Sequence, residues 1–155
     1  MVSIRSCRSD YTCSPRKERP VSESSASPRH VFERLIQGIS NRSWDRLSEL
    51  YADSVVVEQP FGLPHPLRLE GRDQLAAHFA AGAQLPLELT ARNVVVHETR
   101  DPEVIVAEFD YAGRVTSTGR SFTVPNILVI RVRDGKIVAS RDYHNHALLA
   151  EVLAR

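Results

Sequence analysis

From Leu87 to His146 the chain reads as four strand-like segments in succession, at about 87–98, 103–112, 120–133 and 136–146. They are rich in Val, Ile, Phe and Tyr, and turn chemistry separates them. Asp101-Pro102 marks the first junction and Ala112-Gly113-Arg114 begins the second. Arg133-Asp134-Gly135 makes the third, with Gly135 suited to the left-handed position of a three-residue hairpin loop. Joints this short leave no room for crossover helices, so the second half is a long antiparallel meander.

Helical spacing dominates what precedes it. Ser27 is placed to cap a helix with Pro28 at its first position, and Val31, Phe32, Leu35, Ile36 and Ile39 form one apolar stripe to about Ser40. Ser43 opens a second, short helix whose stripe is Trp44, Leu47, Leu50 and Tyr51. After Asp53-Ser54 the pattern turns to strand at Val55–Gln59, closed by Pro60 and Gly62. Residues 61–70 read as a stiff, irregular loop, and Gly71-Arg72-Asp73 starts a third helix with Leu75, His78, Phe79 and Gly82 on one face. The order α-α-β-α-β-β-β-β implies an α+β fold with helices packed on one face of a curved sheet.

Residues 1–27 differ in composition from the rest. Eight of the first 28 residues are Ser, and the large apolar residues there stand alone. Such a segment buries too little apolar surface to offset its ordering entropy, so a disordered polar tail is expected, followed by a single domain over 28–155. Cys7 and Cys13 both fall in that tail, have no partners at metal-ligand spacing, and receive no role. The formal net charge is +1, which argues against a nucleic-acid partner. No stretch of about 18 apolar residues is present, so no membrane span is expected. A cytoplasmic, metal-free protein is the expectation.

The hairpin decides which polar side chains face inward. A three-residue loop at 133–135 pairs Val132 with Lys136, Leu128 with Ser140 and Asn126 with Asp142. Asn126, Leu128, Ile130, Val138, Ser140, Asp142 and His144 then share the helix-covered face. Ile127, Val129, Arg131, Ile137, Ala139, Arg141 and Tyr143 take the other, and Glu108 and Asp110 also point away from the helices. Asp142 and His144, two apart on one strand, lie roughly 6.5–7 Å apart at Cα, close enough to share a substrate as an acid/base pair or to form a structural ion pair. His65 reads as an exposed loop residue, His78 as a half-buried structural one and His146 as a rim residue. No His spacing fits a helical metal motif, and no nucleotide or nucleophile-elbow motif occurs.

The string Trp44-Asp45-Arg46-Leu47-Ser48-Glu49-Leu50-Tyr51-Ala52-Asp53, followed by Val57-Glu58-Gln59-Pro60, resembles the opening of the NTF2-like superfamily. Val132-Arg133-Asp134-Gly135-Lys136-Ile137 and Arg141-Asp142-Tyr143 resemble its SnoaL-like members, which include polyketide cyclases, ketosteroid isomerases and epoxide-hydrolase-type enzymes. The resemblance spans about residues 29–150. It implies a cone-shaped curved antiparallel sheet with three helices of the N-terminal half enclosing a cavity.

Carried over by position, the isomerase base falls on Gln59, its oxyanion Tyr on Leu35, and its protonated Asp on Ile127 or Leu128. None of these can do the isomerase chemistry, so steroid isomerisation of that kind is excluded. The epoxide-hydrolase triad is incomplete too, because the matching earlier strand offers only Ala107, Phe109 and Tyr111. The resemblance therefore implies a hydrophobic small-molecule ligand, no cofactor, and acid/base catalysis by Asp142 with His144, the rival being a non-catalytic binding protein. Gln59, Asn126 and Tyr111 are expected to orient the substrate oxygen, with Tyr51, Phe61, Phe79, Phe109, Leu128 and Ser140 completing the site. A homodimer through the outer sheet face is also expected, since Ile127, Val129, Ile137, Ala139 and Tyr143 are apolar for a solvated face, with Arg131 and Arg141 at its rim.

Overall fold

A computed structural model describes residues 27–154. Residues 1–26 of the expected tail, with both cysteines, lie outside those residues. Helix α1 (Pro28–Ser40) begins where Ser27 Oγ accepts from the His30 amide at 3.2 Å, with Pro28 in its first turn. Helix α2 (Trp44–Leu47) is only one turn, and a 3-10 turn (Ser48–Leu50) follows it. Strand β1 (Tyr51–Gln59) starts at Tyr51, which the helical stripe had claimed. Strand β2 (Leu67–Glu70) occupies the end of the expected loop, where Leu67 and Leu69 alternate with charged residues along a sheet edge.

Helix α3 (Arg72–Ala83) follows Gly71, whose φ of +86° suits glycine. The meander is β3 (Leu87–Glu98), β4 (Val104–Val115), β5 (Ser121–Arg133) and β6 (Lys136–His144), and helix α4 (His146–Leu153) ends it. Strand β4 runs through Ala112-Gly113-Arg114, so the second junction lies later than the sequence implies. Phe122 stacks over Gly113 from β5, at a place where a Cβ would meet its ring at 2.3 Å.

The six strands form one sheet in the order β2-β1-β6-β5-β4-β3. Every neighbouring pair is antiparallel except β1 and β6, which run parallel, so the sheet is mixed rather than wholly antiparallel. Three irregularities shape it, the first a register shift between Tyr51 and Val56 where β1 runs beside β6. Asn93, at φ +54°, sits in a register shift of β3 between Arg92 and Val95. In the β5–β6 hairpin, Asp134 and Gly135 make a two-residue turn at φ +50° and +73°, and a bulge follows at Val138.

Leu128 consequently stands opposite Asp142 and Asn126 opposite His144, two residues away from the expected register. A shift of two preserves the facing of 140–144, because side chains alternate with period two. It does not preserve the residues before the bulge. Ile137, expected outside, is fully buried, and Val138 is displaced from the inner set.

The core fills the space between the sheet and α1. Val31, Phe32 and Leu35 pack on Ile105, Ala107, Phe109, Ile130, Val132 and Ile137. Phe32 meets Phe109 edge-on at 5.6 Å, and Phe109 meets Tyr111 at 5.0 Å. A second cluster of Leu87, Val115 and Val152, with Phe122 and Leu148 against it, holds α4 over the far end of the meander. Helix α4, where the apolar run Leu148–Leu153 suits a short terminal helix, therefore joins the three helices of the N-terminal half around the cavity. Among the described residues no helix is long and apolar enough to cross a membrane.

Candidate functional site

Between the sheet and helices α1, α2, α3 and α4 lies a cavity of about 400 Å³. Its wall is mostly apolar, with Leu35, Leu75, Phe79 and Leu128 among the residues that line it. Tyr51, Gln59, Tyr111, Asn126, Asp142 and His144 also reach it, so eight of the eleven expected site residues come together there. The other three do not open on it. Phe109 lies in the core between Phe32 and Tyr111, and Ser140 is buried behind Asp142. Phe61 is 64 % exposed on the outer side, edge-on to Tyr143.

The polar groups form a chain of fixed orientation. Asn126 Nδ2 donates to the Val124 carbonyl at 2.7 Å, which turns the amide oxygen toward His144. His144 Nδ1 stands 2.6 Å from that oxygen and donates to it, so the network assigns the ring proton to Nδ1 and a lone pair to Nε2. The oxygen of Asn126 thus orients His144, while its Nδ2, with one of its two hydrogens on Val124, stands in the cavity wall. Ser140 Oγ donates to Asp142 Oδ1 and pins the carboxylate. Asp142 Oδ2 lies 4.0 Å from His144 Nε2.

Burial sets the charge states. The Asp142 side chain is 14 % exposed and that of His144 20 %. Desolvation pushes the Asp142 carboxyl up to about 6, against the Ser140 hydrogen bond, which lowers it. It pushes His144 down to about 4, helped by the neighbouring His146 and His78. Near neutral pH the site therefore holds a carboxylate and a neutral imidazole, both acceptors. Tyr51 and Tyr111 are raised above the ordinary tyrosine value by burial and by the Asp142 charge, so both keep their protons as donors.

Two further histidines belong to this site. His78 lines the cavity from α3, with Nε2 3.5 Å from the Gln59 amide nitrogen, and is lowered by burial and by His146. His146 lines it from the first turn of α4, its ring 5.8 Å from that of His144. The signal for His78 was its helical face shared with Leu75 and Phe79; for His146 it was the inward parity continued from His144. His65 is exposed and does not line the cavity. The isomerase-equivalent positions are also resolved: Leu35, Gln59 and Leu128 stand in the wall, while Ile127 is 40 % exposed outside.

On the outer face Arg131 bonds Asp101 at 2.8 Å and Glu103 at 2.9 Å, and Arg141 bonds Glu58 at 3.1 Å. Both arginines therefore have partners within the chain.

Residues 32–140 match the family model described as a SnoaL-like domain, a span that stops two residues short of Asp142. An uncharacterised PhzA/B-like protein of Pseudomonas aeruginosa is 34 % identical over 115 residues, covering 72 % of this chain and 77 % of its own. A Bacillus subtilis structure named as that of a "putative isomerase" superposes with a TM-score of 0.75 at 25 % identity, covering 81 % of this chain and 91 % of the other. A phenazine biosynthesis-related protein of Pseudomonas aeruginosa shares the fold with a TM-score of 0.64 at 22 % identity, over 81 % of this chain and 82 % of its own. With its core, its cavity and most of its length accounted for in this way, the chain belongs to the SnoaL-like domain family of the NTF2-like superfamily.

Proposed function

We propose that the protein catalyses proton transfer beside a carbonyl group on a hydrophobic, cyclic small molecule, without a cofactor. Asp142 is the base and His144 its partner. The observation that carries this reading is the buried Asp142 carboxylate, raised to about 6 in an apolar cavity beside an unprotonated His144 Nε2. A carboxylate near 6 is ionised at neutral pH and basic enough to take and return a proton. In the step itself, Asp142 Oδ2 takes the proton from the carbon next to the carbonyl, and the electron pair moves onto the carbonyl oxygen. Tyr111, Tyr51 or the Gln59 amide supplies the donor for the enolate oxygen, and the proton returns from Asp142 to a different carbon or to the same one. Cyclisation, isomerisation and dehydration all begin with this step.

The experiment needs no physiological substrate. Exchange of the α-protons of 2-tetralone for deuterium, followed by proton NMR, should be accelerated by the protein and lost in Asp142→Asn.

A second reading, ligand binding without turnover, is favoured by the aliphatic side chains of Leu35 and Leu128 and the non-basic amide of Gln59 at the isomerase positions. It expects no exchange by the wild-type protein.

The same proposal includes a cytoplasmic homodimer. A groove of about 690 Å³ crosses the outer sheet face beside Phe61, Leu63, Val95, Ile127 and Tyr143. Of these, Phe61, Leu63, Val95 and Ile127 are 40–64 % exposed, more apolar surface than a solvated face carries. Ile137, expected in this face, is in the core instead.

A further inference from the structure

Asp142 Oδ2 and His144 Nε2 face one another at 4.0 Å as two acceptors. Among the described residues neither atom has a protein donor, and no lysine or arginine stands in the cavity wall. The orientation of His144 is not free to change this. Turning its ring to offer a proton to Asp142 would break the bond to Asn126, whose own amide is held by the Val124 carbonyl. Two buried acceptors so placed are both satisfied by one group that brings two hydrogens, a water's or a ligand's.

A single nitrogen about 2.9 Å from each atom closes this gap, with an angle at nitrogen of about 90°. That angle suits two hydrogens on one sp3 or sp2 nitrogen with slightly bent bonds. A hydroxyl has one hydrogen and leaves the other acceptor facing a lone pair, which is costly in a buried site. We propose that the cavity also takes, in place of the carbonyl substrate, a ligand with a primary amino group on an apolar ring framework, and that this group bridges Asp142 and His144. The aromatic side chains of Tyr51, Phe79, Tyr111 and Trp44 in the same wall suit both the ring and an ammonium charge. An anionic ligand finds the wrong charge here, because the one ionised group in the wall near neutral pH is the Asp142 carboxylate.

This inference rests on the reading that the Asp142–His144 cavity is the ligand site, and it concerns binding rather than turnover. Its probe pair is 1-naphthylmethylamine and 1-naphthylmethanol, matched in ring and shape, titrated calorimetrically into the full chain at pH 7.5. The amine should bind roughly tenfold or more tightly than the alcohol, the scale of a charge-assisted hydrogen bond. Asp142→Asn should cut the amine's affinity by roughly that factor and leave the alcohol within about twofold. Should that variant fail to fold, the wild-type protein carries the test alone. Its preference for the amine should fall as pH drops below 6, where Asp142 takes up its proton, while the alcohol's affinity stays level. Equal affinity for the two compounds at pH 7.5, or no binding of the amine at millimolar concentration, overturns the proposal. The two readings fail separately: α-proton exchange that survives Asp142→Asn removes the catalytic reading, and the amine-to-alcohol ratio still decides this one.

Discussion

The turn before β4 and the inner face of β6 treat a carboxylate in opposite ways. Outside, Glu103 sits between Arg131 and Arg133 at 2.8–2.9 Å, and these hydrogen bonds pull its carboxyl down to about 2. Inside, Asp142 has a serine hydroxyl and no cation, and burial pushes it up to about 6. Both are carboxylates, but Glu103 ends the turn that precedes β4 whereas Asp142 lies within β6. The difference lies in what surrounds the side chain, water and two arginines at the turn or apolar walls inside. A carboxylate outside stabilises the fold in its charged form. The one inside burdens the fold with its charge and is kept in a state ready to exchange a proton.

Breaking the inner side has the largest expected effect. Asp142→Asn is nearly isosteric and should slow α-proton exchange on the order of 10²–10⁴. Glu103→Gln should leave that rate within about twofold, and equal losses for the two variants would erase the contrast. Next comes the bulge at Val138, which sets the inner face. Ile137→Ala should cost about 2–5 kcal/mol in urea unfolding if the side chain is buried as the register places it. An outward-facing Ile137 would cost less than about 0.5 kcal/mol.

The pH dependence sharpens the comparison because the two carboxylates have opposite signs. The Asp142 value is raised above the ordinary 3.8, so the folded state holds this proton more tightly than the unfolded chain. Stability is lost as pH rises from about 4 to about 6, amounting to about 3 kcal/mol at 1.36 kcal/mol per pH unit. Asp142→Asn should therefore exceed the wild type in stability at pH 8 by up to that amount, and match it below pH 4.

His144 acts in the other direction. Its value is lowered to about 4, so its contribution is lost as pH falls from about 6.5 to about 4. In the wild type the two slopes oppose each other. In Asp142→Asn the acid-side loss from His144 should stand uncovered as a steeper decline in unfolding midpoint from pH 6.5 to 4.

The smallest effect is expected outside. Glu103 is depressed from 4.5 to about 2, so its stabilisation is present above about 4.5 and fades as pH falls toward 2. Glu103→Gln should lower the midpoint slightly at pH 7, less at high salt, and not at all near pH 2. A loss as large as that of Ile137→Ala would show the outer network to be structural in its own right.

Much of this arrangement was legible because it is local. The Ser27-Pro28 start, the stripe of α1 and the four strands follow from capping and from periods of 3.6 and 2. The common facing of Asn126, Leu128, Asp142 and His144 follows from the period of two, and it survived an error of two in register. Other features were not legible. The short β2 is defined by its partner β1 rather than by its own four residues, and Tyr51 joined a strand because β6 lies beside it. A string that fits both a helical stripe and a strand start is decided by what packs against it.

The sequence by itself therefore determined the element order apart from β2, the α+β class, the family and the acid–imidazole pair on the last strand, because each is written within a few consecutive residues. Only the tertiary structure decided three things. It seated Ile137 in the core at the cost of a bulge, and it gave Arg131 and Arg141 their partners in Asp101, Glu103 and Glu58. It also brought His78 from α3 and His146 from α4 to the same cavity as Asp142. Whether a bulge forms depends on which side chain fills the core best, and which distant groups meet depends on the curvature of the whole sheet. Neither is encoded in the periodicity of any one segment.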